Sequence, residues 1–215
     1  DLLGCDPSKL IMSDEVIHCS DVRGRSVTFE KAVEECYKKH VNLAETGSYS
    51  APKCEFDPEN SQGTTYQQYT YGAVVAEVQV DTQLGVVKPL KLTAAYDVGK
   101  AINPLSVEGQ VEGGTIQGLG YGLMEQLVHI DGMVMNPTLG DYYIPTSLDI
   151  PEIQEIIVEY PGVVGPYGAK AMGEPPIDLP AAALGNAVAY AVGSRVFSIP
   201  LTSEKVLFAM KERRR

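Results

Sequence analysis

The spacing of apolar residues predicts one helix in the first part of the chain. An apolar face recurs at the intervals of an α-helix, so we expect the helix to run from about Thr28 to His40. The residues that form this face are Phe29, Ala32, Val33, Cys36 and Tyr37. Residues 1–26 show no clear pattern, and residues 44–70 are polar and rich in Ser, Thr, Gln and Pro. The pattern therefore predicts one helix in residues 1–70, followed by either an extended arm or a surface that packs on something outside this chain.

A β-hairpin is predicted directly after this arm. Apolar and polar positions alternate from Tyr71 to Val80, as they do in a half-buried strand. A short turn ends at Gly85, and Val86–Tyr96 supplies the returning strand. Pro89 indicates an edge or bulge position in that strand, because proline has no N–H to donate to a neighbouring strand.

A glycine-dense helix is predicted to begin at Asn103-Pro104, with Asn as cap and Pro at the first helical position. Each internal glycine costs a helix about 0.5–1 kcal/mol relative to alanine. Such a density is reasonable only where another backbone or a ligand must come very close. The glycines are Gly109, Gly113, Gly114, Gly118, Gly120 and Gly122.

The remaining pattern completes an α+β fold. It predicts a hairpin that turns at Asp131-Gly132, a strand over Glu152–Tyr160 and a stiff Pro- and Gly-rich loop over residues 161–180. Two helices follow, from Pro180 to Val192 and from Ser203 to about Lys211. We therefore expect residues 71–215 to form an α+β domain of antiparallel hairpins packed with helices.

Charge and hydropathy exclude several classes of partner. The net charge of −11 argues against nucleic acid and anionic membrane surfaces, because binding phosphate needs clustered Lys and Arg. No apolar stretch approaches the roughly 20 residues needed to span a bilayer. The chain starts with Asp1 rather than Met, which we interpret as an arbitrary start in a shortened chain.

The cysteines predict neither a metal site nor a cross-link. No C-x-x-C pair exists, so zinc or iron–sulfur ligation within this chain is not expected. The simplest interpretation is that all four thiols are reduced in a cytoplasmic protein. The cysteines are Cys5, Cys19, Cys36 and Cys54.

Two segments are candidates for chemistry. The first carries Gln110 and Gln117 on the glycine-dense helix, where amide groups can donate and accept hydrogen bonds to a large ligand. Tight helix packing with surface glutamines explains the same residues. No G-x-G-x-x-G run follows a strand here, so a dinucleotide site is rejected.

The second segment places a carboxylate, Glu174, between Gly173 and the pair Pro175-Pro176. Pro175 favours an extended backbone at Glu174, and the two prolines stiffen the chain beyond it. Such a loop could hold a catalytic base rigidly. Taken alone, an exposed or capping glutamate is the simpler interpretation.

Together, and in this order, the two segments resemble the end of the molybdenum-binding subunit in the xanthine dehydrogenase/aldehyde oxidase family of molybdenum hydroxylases. The resemblance rests on the run DVG…NP…GQVEGG…QGLG, followed later in the chain by GAKAMGEPP. It extends from about residue 70 to residue 210. It implies the fold of the carboxy-terminal part of a molybdopterin-binding domain.

The resemblance also implies roles for particular residues. Glu174 would be the catalytic base, and Gln110 would lie against a molybdopterin-type molybdenum cofactor, with Gly113, Gly114 and Gly173 also at the cofactor. Ala171 and Met172 would line the entrance of the site, and Lys170 would be structural. The reaction would be oxidative hydroxylation of an N-heterocycle or an aldehyde, with water as the oxygen source.

Much of such an enzyme would lie outside this chain. The resemblance implies [2Fe-2S] clusters and FAD on other domains or subunits, the remainder of the molybdenum subunit, and an oligomer acting on a small-molecule substrate. The chain alone is then expected to be inactive. Two alternatives remain: a non-catalytic assembly module of the same fold that binds partner subunits, and an unrelated small α+β ligand-binding domain.

Overall fold

The chain divides into two compact units. The computed structural model describes residues 2–22, 24–50 and 52–212. The amino-terminal unit is Asp1–Ser50 and the carboxy-terminal unit is Ala51–Arg215. This division comes earlier than the boundary that we expected at residue 70. In the part of the chain that the structure describes, no helix is both long and apolar enough to cross a membrane.

The amino-terminal unit is a small sheet followed by one helix. Its elements are β1 (Leu10–Ser13), β2 (Val16–Cys19), β3 (Ser26–Thr28) and α1 (Phe29–Lys38). The strands pair antiparallel in the order β1-β2-β3. The helix is as predicted, and the Oγ1 atom of Thr28 caps it by accepting from the N–H of Lys31 at 3.2 Å. The three strands were not predicted, because residues 1–26 are short segments without sustained alternation.

The expectation of four reduced thiols is wrong for Cys5 and Cys19, which form a disulfide. Cys19 is the one buried residue among those described in this unit. A unit this small buries little apolar surface. A cross-link that restricts its unfolded chain therefore contributes a larger part of its stability than it would in a larger domain. Cys36 is a half-buried thiol and Cys54 an exposed one.

The carboxy-terminal unit combines a central sheet with helices and short hairpins. Its strands are β4 (Glu55–Asp57), β5 (Gln62–Thr64), β6 (Gly72–Val80), β7 (Val87–Asp97), β8 (His129–Ile130), β9 (Met133–Val134) and β10 (Glu152–Val158). Its helices are α2 (Pro104–Leu123), α3 (Pro175–Asp178), α4 (Pro180–Val192) and α5 (Ser203–Glu212). The predicted hairpins and the three predicted long helices are confirmed. The short α3 lies in a region expected to be irregular.

The central sheet has the order β10-β7-β6. Strands β6 and β7 are antiparallel, as predicted, whereas β7 and β10 are parallel. The register shifts between Glu77 and Val78, and Val78 pairs with Pro89. The bulge predicted from Pro89 is therefore confirmed, and although β7 is the central strand, Pro89 lies where only β6 pairs with it. Proline is tolerated there because β10 pairs with β7 only from Lys91 onward.

Helices α2 and α4 cover one face of this sheet and form two apolar clusters with it. The first cluster contains Leu92, Leu119, Leu184, Val188, Val192, Leu201 and Val206. The second contains Ala94, Tyr96, Val98, Ala101, Val111 and Met172. The second cluster reaches the Gly-Glu-Pro-Pro segment through Met172, so the core directly supports the candidate site.

Candidate functional site

The two motifs found in the sequence pair with each other in the structure. Gly99 and Ala169 form an antiparallel bridge. On either side of it, the N–H of Lys100 donates to Gly168 O at 3.1 Å and the N–H of Lys170 donates to Val98 O at 2.9 Å. The residues that follow β7 therefore hold the Glu174 loop, which we define as residues 168–174.

Close packing makes glycine necessary at this bridge. Gly99 has φ +67°, and a Cβ atom there would lie 2.1 Å from Gly168 O. Any larger residue at position 99 would be strained and would push the two segments apart. The glycine of the DVG run is thus required by contact within the chain.

A buried ion pair joins the same two segments. Lys170 Nζ contacts Asp97 Oδ2 at 2.5 Å, and the side chains are only 7% and 13% exposed. Asp97 Oδ1 also accepts from the N–H groups of Gly99 at 3.0 Å and Tyr160 at 3.3 Å. Burial raises the pKa of Asp97, but the hydrogen bonds from Lys170, Gly99 and Tyr160 outweigh it, so the net pKa is lower than usual. Lys170 therefore has the structural role expected of it.

The segment before β6 also holds the Glu174 loop. Gln68 Nε2 donates to Ala169 O at 3.1 Å, and Thr70 Oγ1 donates to Ala171 O at 2.7 Å. Both donors come from the polar stretch that we expected to be an extended arm. Met172 is buried in the second apolar cluster, whereas Ala171 is exposed. The loop is thus held on three sides before it reaches Glu174.

Glu174 is exposed and immediately precedes α3. Its backbone has φ −97° and ψ −32°, so the expectation of an extended conformation is wrong. The helical turn explains the difference, because the N–H of Ile177 donates to Glu174 O at 2.9 Å. That bond favours the helical conformation, which Pro175 alone would disfavour. The carboxylate is open to solvent at the start of a short, proline-stiffened turn.

Gln110 lies close to this loop. It is exposed on α2, and a Cβ atom placed on Gly173 would lie 4.0 Å from Gln110 Oε1. A cavity of about 200 Å³ borders Gln110, Lys170 and Met172. Helix α2 and the Glu174 loop therefore bring together the amide and the glycine that the sequence predicted.

The glycines of α2 serve two different purposes. A Cβ atom on Gly114 would lie 2.5 Å from Pro176 Cβ, and one on Gly118 would lie 2.5 Å from Ile177 O. Both glycines are buried where α2 meets α3. Gly113 is exposed, and a Cβ atom there would meet nothing within 4 Å. Packing against Pro176 explains Gly114, so we narrow the candidate cofactor contacts to Gln110, Gly113 and Gly173.

No metal ligands were predicted from the sequence. Across residues 2–22, 24–50 and 52–212, no group of three or more His, Cys, Asp or Glu side chains is placed to hold a metal ion.

Sequence reasoning missed the importance of Asp97, Gln68 and Thr70. Asp97 opens the first motif, and its charge is opposite to that of Lys170 in the second. Opposite charges in the two glycine-rich segments were the available signal for a pair. Gln68 and Thr70 carried no such signal, because they lie among many other polar residues.

These features define an α+β domain whose candidate site presents an amide, an open glycine and an exposed carboxylate. Comparison with known families agrees with the sequence motifs. The family model described as "Molybdopterin cofactor-binding domain" matches residues 1–151. The chain belongs to this family. The matched region contains Gln110 and ends before Glu174.

Curated relatives cover more of the chain. The xanthine dehydrogenase molybdenum-binding subunit of Escherichia coli O157:H7 is 33% identical over 201 residues, covering 92% of this chain and 26% of that protein. The aldehyde oxidoreductase of Megalodesulfovibrio gigas is 35% identical over 168 residues, covering 77% of this chain and 18% of that protein. The chain therefore spans about a quarter of the length of the first relative and less than a fifth of the second.

The fold has solved counterparts. Quinoline 2-oxidoreductase from Pseudomonas putida 86 superposes with a TM-score of 0.71 at 26% identity, covering 98% of this chain and 27% of that one. The α+β fold of molybdenum hydroxylase domains predicted from the sequence is thus confirmed. The structural match covers nearly the whole chain, whereas the sequence resemblance extends from about residue 70 to residue 210.

Proposed function

We propose that this chain forms one side of the molybdenum cofactor site of a molybdenum hydroxylase, with Glu174 as general base. The observation that carries the proposal is the meeting of α2 with the Glu174 loop, where Gln110 lies beside Gly173. The exposed carboxylate follows Gly173 directly. The family relationship supports the cofactor, and the two motifs support the base.

The residues present fit a cofactor of this kind. The Gln110 amide is exposed and can both donate to and accept from a pterin edge. Gly113 offers unobstructed backbone on the same helix. When bound, the cofactor would supply the redox centre and the water-derived oxygen for hydroxylation.

The role of Glu174 would be to accept a proton during oxygen transfer. A general base must reach that proton at hydrogen-bond distance and must not lose its position. The chain just before Glu174 is fixed by backbone hydrogen bonds and by one buried side chain. The bonds involve Gly168, Ala169, Lys170 and Ala171, and the buried side chain is that of Met172. The carboxylate itself remains exposed and available.

The complete enzyme would need more chain than this. We propose that it acts on an N-heterocycle or an aldehyde, as the names of the relatives suggest for those proteins. The remainder of the molybdenum subunit, together with [2Fe-2S] and FAD domains or subunits, would complete an oligomeric, cytoplasmic assembly. The 215-residue chain alone is then expected to hold no stoichiometric molybdenum and to reduce no dye. Metal analysis and a dye-reduction assay on the purified chain test this, and stoichiometric molybdenum with turnover would refute it.

Glu174→Gln in the complete enzyme tests the central role. The substitution keeps size and hydrogen bonding but removes the base, so kcat should fall by about 10²–10⁴-fold at unchanged molybdenum content. Asp178→Asn is the matched control, since Asp178 is also an exposed carboxylate and lies at the other end of α3. Full activity of Glu174→Gln would exclude the base and favour the alternative, a non-catalytic assembly module.

A further inference from the structure

The Asp97–Lys170 pair differs from the other ion pairs of the described residues in its burial. Its side chains are 13% and 7% exposed, whereas every other pair has at least one side chain that is half exposed or more. Removing two charges from water is costly, and a buried pair often adds no net stability over apolar residues. A role in fixing local geometry would explain why this pair is buried.

The pair joins three segments at one point. Asp97 is the last residue of β7, Lys170 lies in the Glu174 loop, and the N–H of Tyr160, just beyond β10, donates to Asp97 at 3.3 Å. Lys170 Nζ also lies 5.4 Å from the centroid of the Tyr160 ring. The ammonium group is thus held between a carboxylate and an aromatic face, which leaves it few other positions.

Lys170 lies close to Glu174 along the chain, so the position of Lys170 affects the position of Glu174. Lys170 N donates to Val98 O, Ala171 O accepts from Thr70, and Met172 is buried, so the chain has little freedom between the ion pair and Gly173. Without the lysine, Asp97 would keep a buried charge with no cation beside it. The loop would then have to move to admit water.

We propose that Asp97 and Lys170 are positioning residues that set the place of the Glu174 carboxylate. This role rests on the proposed function, because it matters for catalysis only if Glu174 is the base. Misplacing a catalytic group by about 1 Å can cost as much as 10²-fold in rate. The effect of losing the pair on kcat should therefore be exerted through Glu174.

The test is a double-mutant cycle on kcat in the complete enzyme. Lys170→Met should lower kcat by about tenfold or more when Glu174 is present. In the Glu174→Gln background it should lower kcat by less than about twofold, because the group being positioned is already absent. Lys91→Met is the matched control, since Lys91 also forms an ion pair from β7, with Glu152 of β10 and away from the Glu174 loop, and it should leave kcat unchanged.

Two further measurements separate positioning from general loss of folding. The double variant Asp97→Asn/Lys170→Met removes both charges, while the amide oxygen introduced at position 97 still offers an acceptor to the N–H groups of Gly99 and Tyr160. It should fold with an unchanged molybdenum content and still show the low kcat. Hydrogen exchange should quicken at the Lys170 amide, which donates to Val98, and remain unchanged in β6.

The outcomes are distinct. Equal losses of kcat in both Glu174 backgrounds, or unchanged kcat and hydrogen exchange in Lys170→Met, would overturn the positioning role while leaving the base intact. Full activity of Glu174→Gln by itself would overturn the proposed function and the positioning role together.

Discussion

Gly173 and Gln110 meet where the Glu174 loop passes α2, with Gln110 Oε1 lying 4.0 Å from the position that a Cβ atom on Gly173 would occupy. This distance is an ordinary van der Waals contact, so a methyl group would just fill the space. The two residues belong to separate motifs, and their meeting places an exposed amide beside the residue that precedes the candidate base. An amide so placed can bind a cofactor edge that lies within reach of Glu174.

Gln110→Ala should therefore weaken cofactor binding in the complete enzyme. Loss of one or two hydrogen bonds of about 0.5–1.5 kcal/mol each corresponds to a cofactor affinity lower by about twofold to 10²-fold. Gln117→Ala is the matched control, because Gln117 is also exposed but further along the same helix. Molybdenum and pterin content after gel filtration measure the effect, and equal content in both variants would count against the assignment of Gln110.

Replacing two neighbouring glycines of α2 by alanine should change the free energy of unfolding in opposite directions. Gly114→Ala places a methyl group 2.5 Å from Pro176 Cβ, so the free energy of unfolding should fall by about 1–3 kcal/mol. Gly113→Ala meets nothing within 4 Å and should raise it by up to about 1 kcal/mol. Urea denaturation of the chain distinguishes them.

The same pair of variants separates packing from cofactor contact. If Gly113 lies at the cofactor, Gly113→Ala should lower molybdenum content in the complete enzyme even though it stabilises the helix. Normal content in Gly113→Ala would restrict the cofactor contacts to Gln110 and Gly173.

Local pattern was enough for most elements of the carboxy-terminal unit. Alternation predicted β6 and β10, and the Asn103 cap predicted the start of α2, because these signals lie within a few consecutive residues. The parallel pairing of β7 with β10 depends on contacts between distant segments and left no local signal. The helical backbone of Glu174 was not predicted either, because the turn closed by the bond from Ile177 N to Glu174 O outweighs the preference for an extended conformation set by Pro175.

Most residues of the candidate site could be identified from the sequence, whereas the contacts between them are visible only in the structure. Gln110 and Gly173 were identified from motifs, yet only the fold shows that they are neighbours. Gly114 was placed at the cofactor by the family resemblance, because the motif does not show what lies against each glycine. Its neighbour is Pro176, a residue of the other motif.

The acid stability of the chain should depend on Asp97. Its pKa is lower in the folded chain than the value of about 4 in the unfolded chain, so its ionised form stabilises the fold. This stabilisation is fully present above the unfolded pKa and is lost as the pH falls through the folded pKa. Asp97→Asn should therefore unfold more easily than the original chain at pH 7, and the difference should shrink below about pH 4. Urea denaturation between pH 7 and pH 3 measures it, and a constant difference over that range would contradict the assignment.

The Cys5–Cys19 disulfide predicts that only two of the four cysteines react with a thiol reagent in denaturant without reductant. All four should react after reduction. Closing a loop with a sequence separation of 14 is worth about 3 kcal/mol in the chain-entropy model, so reduction should speed hydrogen exchange in the amino-terminal unit. Exchange in β6 and β7 should not change, because these strands lie in the other compact unit. Cys36→Ser should leave the cross-link intact and lower the reactive thiols by one, whereas four reactive thiols in the unreduced chain would show that the cross-link does not form.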